Sequence, residues 1–302
     1  MSMEMRDMRD RKTLPEKWRR KPRQKSRRES PEAMGFAPAI AVLIAMMMMI
    51  IMMGAFCAGA QAQTDCAEGD SPLDTSPPKN MAVPELIQKF TAQETKVKEA
   101  RTHYTYTQDV LVQTLGDKGV DGQFHETAIV SYDDKGKRAE KVTFAEQSTL
   151  RGIQLTPQDM DDIREFMPFI LPTEVVPEYN LTYAGQQHVD DLDTYVFHLV
   201  PKKEEKNKRY FQGKIWVDNR DFQIVKVCGK SVPDLVKVKR NEHMEIRPVF
   251  VGYRQLVDGL WFPAYAKVDD TLTFKIQSVH VREIVKLKDY KRVGAAAPAA
   301  KP

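Results

Sequence analysis

The apolar residues of this chain follow three successive patterns. Residues 35–60 form an uncharged run, and the stretch after Pro84 has apolar positions at helical spacing. Beyond Arg101 the apolar positions recur with a period of two, which is typical of β-strands. The patterns predict one helix near 84–100 and a second near 157–167, where Thr156 can cap the helix and Pro157 can open it. The remainder is predicted to be sheet.

The period-two segments are separated by short turns rich in Asp, Gly and Asn, so neighbouring strands should pair antiparallel. Several segments are apolar on both faces, which means that both faces of the sheet need cover. The predicted fold is therefore mainly β, a curved antiparallel half-barrel of about ten or eleven strands with two or more helices on its concave side. The strands are predicted at about 102–115, 120–132, 138–147, 180–188, 193–200, 210–218, 222–228, 247–257, 260–268, 271–277 and 279–287.

Four parts of the chain differ in composition. Residues 1–62 combine a basic region with the apolar run, and residues 63–81 are polar and rich in proline, as in a disordered linker. Residues 82–290 carry the helix and strand patterns of one domain. Residues 291–302 contain a low-complexity stretch and are predicted to be a disordered tail.

The N-terminal part has the layout of an export signal. The apolar run is preceded by basic residues and followed by Ala60-Gln61-Ala62, a small-x-small pattern that predicts cleavage between Ala62 and Gln63. The alternative is an uncleaved anchor, because a bilayer span needs about 20 apolar residues. In both cases residues 63–302 are exported to the far side of the inner membrane. The domain is therefore expected in the periplasm, either released or anchored to the inner membrane.

Charge argues against nucleic acid as a partner. The whole chain carries a formal charge of +4, with 42% hydrophobic and 29% charged residues. Once residues 1–62 are removed, 34 basic and 36 acidic residues remain. A nearly neutral domain lacks the basic footprint that binding to a phosphate backbone requires.

Two cysteines, Cys66 and Cys228, lie beyond the predicted cleavage site. In an oxidising compartment they could form one disulfide that closes a long loop. The alternative is that Cys66 lies in the linker while Cys228 is a small buried residue of a strand. Neither belongs to a Cys-x-x-Cys pair, so the sequence does not indicate redox catalysis.

Known catalytic motifs are missing from the sequence. It contains no phosphate-binding loop, zinc-protease helix, nucleophile elbow or EF-hand, and its six histidines have no companion at ligand spacing. The sequence therefore predicts no cofactor, no metal site and no enzymatic activity.

Two short motifs resemble those of the periplasmic lipoprotein-carrier family LolA. Residues Tyr106-Thr107-Gln108-Asp109-Val110 are similar to the family's first-strand pattern of aromatic-Thr-Gln-x-Val. Downstream, Phe197-His198-Leu199-Val200-Pro201-Lys202 and then Gly213-Lys214-Ile215-Trp216-Val217-Asp218 resemble its hairpin and the strand that follows. The MucB/RseB sensors of envelope stress share a similar fold and hairpin.

The resemblance implies a half-barrel whose helices cover an apolar cavity for acyl chains of lipoproteins or lipids. It also implies inner- or outer-membrane sorting proteins as partners. The motif match makes Tyr106, Phe197 and Leu199 candidates that face the cavity, and the strand pattern adds Trp216, Phe250, Trp261 and Phe274. Two alternatives stay open: the sheet encloses a filled core, or the protein is an anchored sensor or scaffold that binds a protein partner.

Overall fold

A computed structural model describes residues 64–67, 71–79, 81–205, 208–234, 247–274 and 277–293. The predicted export signal and its cleavage site at Ala62 and Gln63 lie outside these residues, so they stay predictions. Among the described residues, no helix combines the length and the apolar character that crossing a bilayer requires.

Ten strands form one sheet in which every neighbouring pair is antiparallel. The order across the sheet is β3-β2-β1-β10-β9-β8-β7-β6-β5-β4, so the sheet is open, with β3 and β4 at its edges. The predicted mainly β, antiparallel fold is confirmed. The strands are β1 Tyr104–Gly116, β2 Gly119–Tyr132, β3 Arg138–Ala145, β4 Tyr179–Val189, β5 Leu192–Pro201, β6 Tyr210–Asp218, β7 Ile224–Val232, β8 Phe250–Val257, β9 Leu260–Thr273 and β10 Ser278–Arg292.

Helix α1, Val83–Arg101, occupies the predicted position. The predicted second helix is shorter than expected: α2 covers Pro157–Asp161, and a π-helical turn continues it over Asp162–Phe166. A capping box between Thr156 and Asp159 starts α2 as the sequence indicates. A 3-10 turn, Thr173–Glu178, follows. We call α1 and residues 157–178 together the cap.

Strand β9 corrects one prediction. The sequence predicts 260–268 and 271–277 as separate strands, but Leu260–Thr273 is continuous. The Asp269 carboxylate accepts hydrogen bonds from the Arg282 guanidinium and lies 2.6 Å from Nε2 of His280, both on β10. These partners across the strand pair allow an aspartate to sit within a ladder.

The two faces of the sheet carry different clusters. The face that packs against the cap, which we call the inner face, contributes most of the core, including Val110 on β1 and Phe211 on β6. The opposite, outer face carries a smaller buried cluster around Trp216 and Cys228. Strand β1 shows the alternation, because its inward residues are buried and its outward residues are half-buried.

The stretch predicted as a linker lies against the sheet in its described parts. The Asp74 backbone pairs antiparallel with Gln186, and the Ser71 amide donates to the carbonyl of His188 on edge strand β4. These bonds satisfy part of the β4 edge, so this edge is protected from pairing with another chain.

Candidate functional site

The inner face collects most of the predicted cavity residues. Tyr106, Phe197, Leu199 and Phe250 are all buried there in the main core, and Phe274 packs partly buried against the same cluster. Tyr106 stacks on Tyr290 with ring centroids 4.9 Å apart. The strand period therefore placed these side chains together on one apolar surface.

The cap fills the space above this surface with its own apolar side chains. Phe90 of α1 lies against Phe197 with ring centroids 5.2 Å apart. Phe169 stacks on Phe211 at 4.3 Å. Further cap residues buried in the same cluster are Leu86, Ile163, Met167 and Leu171.

One small recess remains between cap and sheet. It is lined by Met167, Phe169, Ala266 and Leu287, among others, and has a volume of about 10 Å³. That is room for about one water molecule, whereas ligand pockets measure roughly 300–1,000 Å³. At this recess the structure therefore agrees with the alternative in which the sheet encloses a filled core. A ligand could enter here only if cap side chains moved away.

One buried ion pair fastens the cap to the sheet. The guanidinium of Arg254 on β8 donates to both carboxylate oxygens of Glu94 on α1, at 2.7 and 2.8 Å. The same guanidinium donates to the carbonyl of Phe169, and Glu94 also accepts from the amide of Leu171, so this pair joins both parts of the cap. Both charges are almost fully excluded from solvent.

The sequence patterns do not predict this ion pair, although one signal for it exists. Glu94 lies on the apolar stripe of α1 with Leu86, Phe90 and Val97, where a charge needs a buried partner. The partner is 160 positions away in the chain. Its identity could not be read from the sequence.

A second set of charges holds the π-helical turn. The guanidinium of Arg164 donates to Glu126 of β2 at 2.5 and 2.6 Å and to Glu140 of β3 at 3.0 Å. The side-chain amide of Gln108 donates to the backbone carbonyl of Arg164 at 2.9 Å, and Arg138 donates to Gln108. The part of the cap near edge strand β3 is therefore held by polar contacts.

A third set places a carboxyl under α2 on the inner face. Arg247 forms ion pairs with Asp159 and Asp162 of the cap. Glu283 of β10 lies close by. Burial raises the pKa of its carboxyl to about 8, and the negative charges of Asp159 and Asp162 act in the same direction. The positive charge of Arg247 opposes them. At neutral pH Glu283 is therefore mostly protonated.

Two predicted cavity residues lie elsewhere. Trp216 belongs to the outer cluster, where its indole donates to Gln187 at 2.7 Å and the ammonium of Lys226 lies 4.7 Å from its ring. Trp261 packs on the same cluster, and its indole donates to Asp221. Both strands are apolar on both faces, so their pattern did not reveal which side each tryptophan faces.

Cys66 and Cys228 are joined by a disulfide across a sequence separation of 162 residues. Cys66 packs against the outer cluster, so the bond attaches the N-terminal segment to the outer face. In the chain-entropy view such a long loop gives a large stabilisation, typically about 2–4 kcal/mol. Among the described residues, no group of His, Cys, Asp and Glu side chains could hold a metal ion.

Comparisons with known proteins return structures only. No protein-family model matches the chain, and no curated protein matches it. A DUF1329 family protein from Desulfovibrio piger is 12% identical over 70% of this chain and 95% of that chain, with a TM-score of 0.38. The LolA superfamily protein NE2245 from Nitrosomonas europaea is 11% identical over 72% and 96%, with a TM-score of 0.32.

A domain from Vibrio parahaemolyticus named as an outer membrane lipoprotein-sorting protein is 12% identical over 70% of this chain and 95% of that chain, with a TM-score of 0.35. The chain is similar to LolA superfamily proteins, at identities and TM-scores that transfer neither a ligand nor a partner.

Proposed function

We propose that residues 82–293 form an exported domain that binds acyl chains of lipids or lipoproteins between the cap and the inner face. The observation that carries this proposal is the architecture of the cap. The cap covers a continuous apolar surface, yet no cap segment is a strand of the sheet. Lifting the cap would therefore break side-chain contacts and leave the ladder intact.

The energetics favour a hydrocarbon ligand. An acyl chain gains about 0.8 kcal/mol for each methylene that it buries. It would take the places that Phe90, Phe169 and Leu171 occupy in the closed state. The buried Arg254–Glu94 pair opposes opening, so occupancy would depend on the balance between these terms.

The proposal requires no catalytic group, and it places the domain beyond the inner membrane. The predicted cleavage before Gln63 would release it into the periplasm. An uncleaved run would keep it at the membrane. Membrane sorting proteins that deliver or receive the acylated cargo are the partners that fit this role.

A fluorescent fatty-acyl probe tests the proposal. Phe197→Lys should weaken probe binding at least tenfold, because the ligand would have to contact a charge in an apolar site. Val200→Lys is the matched control, since Val200 lies on the same strand, is 44% exposed and points outward. It should bind the probe as the parent does.

A second variant separates loss of binding from loss of folding. Phe90→Ala removes cap side-chain volume above Phe197, so it should lower the thermal midpoint of the free protein and yet tighten probe binding. A misfolded protein cannot show both effects. If neither the parent nor Phe90→Ala binds the probe, the acyl-carrier proposal is wrong.

A further inference from the structure

The outer face is open at the end of the sheet away from the disulfide. Trp216 is 1% exposed, whereas Ile129 and Phe144, on the outer side of β2 and β3, are 44% and 48% exposed. Lysines lie on the neighbouring strands of the same face. We call the following six side chains the outer patch: Lys267, Lys286, Lys288, Ile284, Ile129 and Phe144.

The strand register makes the outer patch continuous. Lys286 on β10 lies between Tyr265 of β9 and Asp109 of β1. Ile284 lies between Lys267 and Leu111 in the next row. Side chains directly opposite each other on neighbouring strands are about 5 Å apart, so the lysines and the apolar side chains form one surface.

The charge of this surface is positive. Its carboxylates already have partners: Asp269 is held by His280 and Arg282, and Asp109 by His125 and Thr127. Within the described part of the chain, no carboxylate lies within 4.0 Å of the ammonium groups of the three patch lysines, Lys267, Lys286 and Lys288. Lys286 and Lys288 are exposed and Lys267 is half-buried, so their charges lie beside the exposed apolar groups.

This combination fits the surface of a bilayer. Lysine side chains keep their charged ends in the polar layer while their stems lie along apolar surface, and exposed Ile and Phe can enter the boundary between headgroups and acyl chains. An anionic surface attracts each lysine that lies close to it.

The described N-terminal segment meets the same face of the sheet. The hydroxyl of Thr64 accepts from the backbone amide of Asp269, on the outer side of β9. The uncharged run ends at residue 60, only four residues before Thr64. Four residues span at most about 14 Å. If the run stays in the bilayer, the outer face is held close to the bilayer surface.

We propose that the outer patch binds the surface of a membrane that contains anionic phospholipids, with the ammonium groups of Lys267, Lys286 and Lys288 on the lipid phosphates. This surface is separate from the inner face and does not depend on acyl-chain binding there. The domain would rest on the membrane with its outer face while the cap faces away from it.

Amine labelling read by mass spectrometry tests this. The protein isolated from cells is mixed with, or reconstituted into, vesicles of phosphatidylcholine alone or of phosphatidylcholine with phosphatidylglycerol. Anionic vesicles should slow acetylation of Lys286 and Lys288 several-fold relative to neutral vesicles, and leave the exposed cap lysines Lys89 and Lys98 unchanged. Raising NaCl from about 0.05 M to about 0.5 M should abolish the protection, because salt screens exposed charges.

Two charge-reversal variants locate the effect. Lys286→Glu/Lys288→Glu should abolish the preference for anionic vesicles. Lys118→Glu/Lys135→Glu makes the same charge change at two exposed turns and should retain it. Equal thermal midpoints for both variants would show that the fold is kept.

Three outcomes would overturn the proposal. The first is equal labelling of the patch lysines in the two kinds of vesicle. The second is protection that survives in Lys286→Glu/Lys288→Glu at the remaining patch lysine. The third is protection by soluble polyglutamate without protection by anionic vesicles, which would assign the patch to an acidic protein partner.

Discussion

The two faces of the sheet are covered in different ways. The cap covers the inner face, and its apolar side chains interdigitate with those of the strands around buried ion pairs. Within the described part of the chain, the outer face is covered around Trp216, near the disulfide that ties Cys66 to β7, and it is more exposed towards β2 and β3, where Ile129 and Phe144 lie.

The difference explains the sequence patterns of the strands. Strand β7 is buried at nearly every position, whereas β1 alternates between buried and half-buried positions. A strand covered on both faces needs no polar side, and a strand covered on one face does. The local pattern thus indicates whether one or both faces of a strand are packed against other residues, but it does not identify those residues.

The largest difference in stability between variants of the two faces is expected when a carboxylate is replaced by its amide. Glu94→Gln leaves the buried Arg254 without a counter-charge and should destabilise the protein by about 3–5 kcal/mol. On the outer face, Asp109→Asn should cost less than about 1 kcal/mol, because the Asp109–His125 pair is partly solvated. Denaturant unfolding of both variants measures the contrast.

The control for Glu94→Gln is the double variant Glu94→Leu/Arg254→Met, which removes both charges. It should be less destabilised than Glu94→Gln, since no unpaired charge remains. Equal or greater destabilisation of the double variant would show that the hydrogen bonds to Phe169 and Leu171, and not the charge, dominate.

Truncating aromatic side chains compares the covered and open parts of the outer face. Trp216→Ala should destabilise by about 3–5 kcal/mol, because it empties a buried site and removes the ring beneath Lys226. Phe144→Ala should change the free energy of unfolding by less than about 1 kcal/mol, since Phe144 is 48% exposed. Similar losses in the two variants would mean that the open part of the face is covered in solution.

A pH-dependent effect on stability separates a carboxyl of each face. Burial raises the pKa of the inner Glu283 from 4.5 to about 8, so the folded state keeps a proton that the unfolded state loses. Stability should therefore fall as pH rises from about 4.5 to about 8, by up to about 1.4 kcal/mol per pH unit from this group. Glu283→Gln should flatten the slope in thermal unfolding.

The outer Asp269 changes stability with pH in the opposite direction. Partial burial acts to raise its pKa, but hydrogen bonds from His280 and Arg282 outweigh burial and hold the pKa below its ordinary value of 3.8. Its contribution is present above that value and is lost as the solution becomes more acidic. Asp269→Asn should therefore reduce the loss of stability that the parent shows as the pH falls below about 3.8, which thermal unfolding in acid measures.

The sequence could predict much of the fold because strands and turns are local. Period-two segments and Asp or Gly turns placed nearly every strand, and Thr156-Pro157 placed the start of α2. Strand β9 runs past the predicted break at 269–270, where side chains of the next strand pair with the Asp269 carboxylate. The sequence also indicated that the side chains of Tyr106 and Phe197 point inward. It did not indicate that Trp216 points outward.

The sequence by itself determined the antiparallel β architecture, the long first helix and the apolar character of both faces, because spacing and turn chemistry act over a few residues. The tertiary structure alone decided that Glu94 meets Arg254, that the cap fills the inner face, and that the segment around Cys66 covers Trp216. These contacts join residues that are far apart in the sequence, up to 160 positions for Glu94 and Arg254, and no local pattern specifies the partner of a buried charge or the cover of an apolar face.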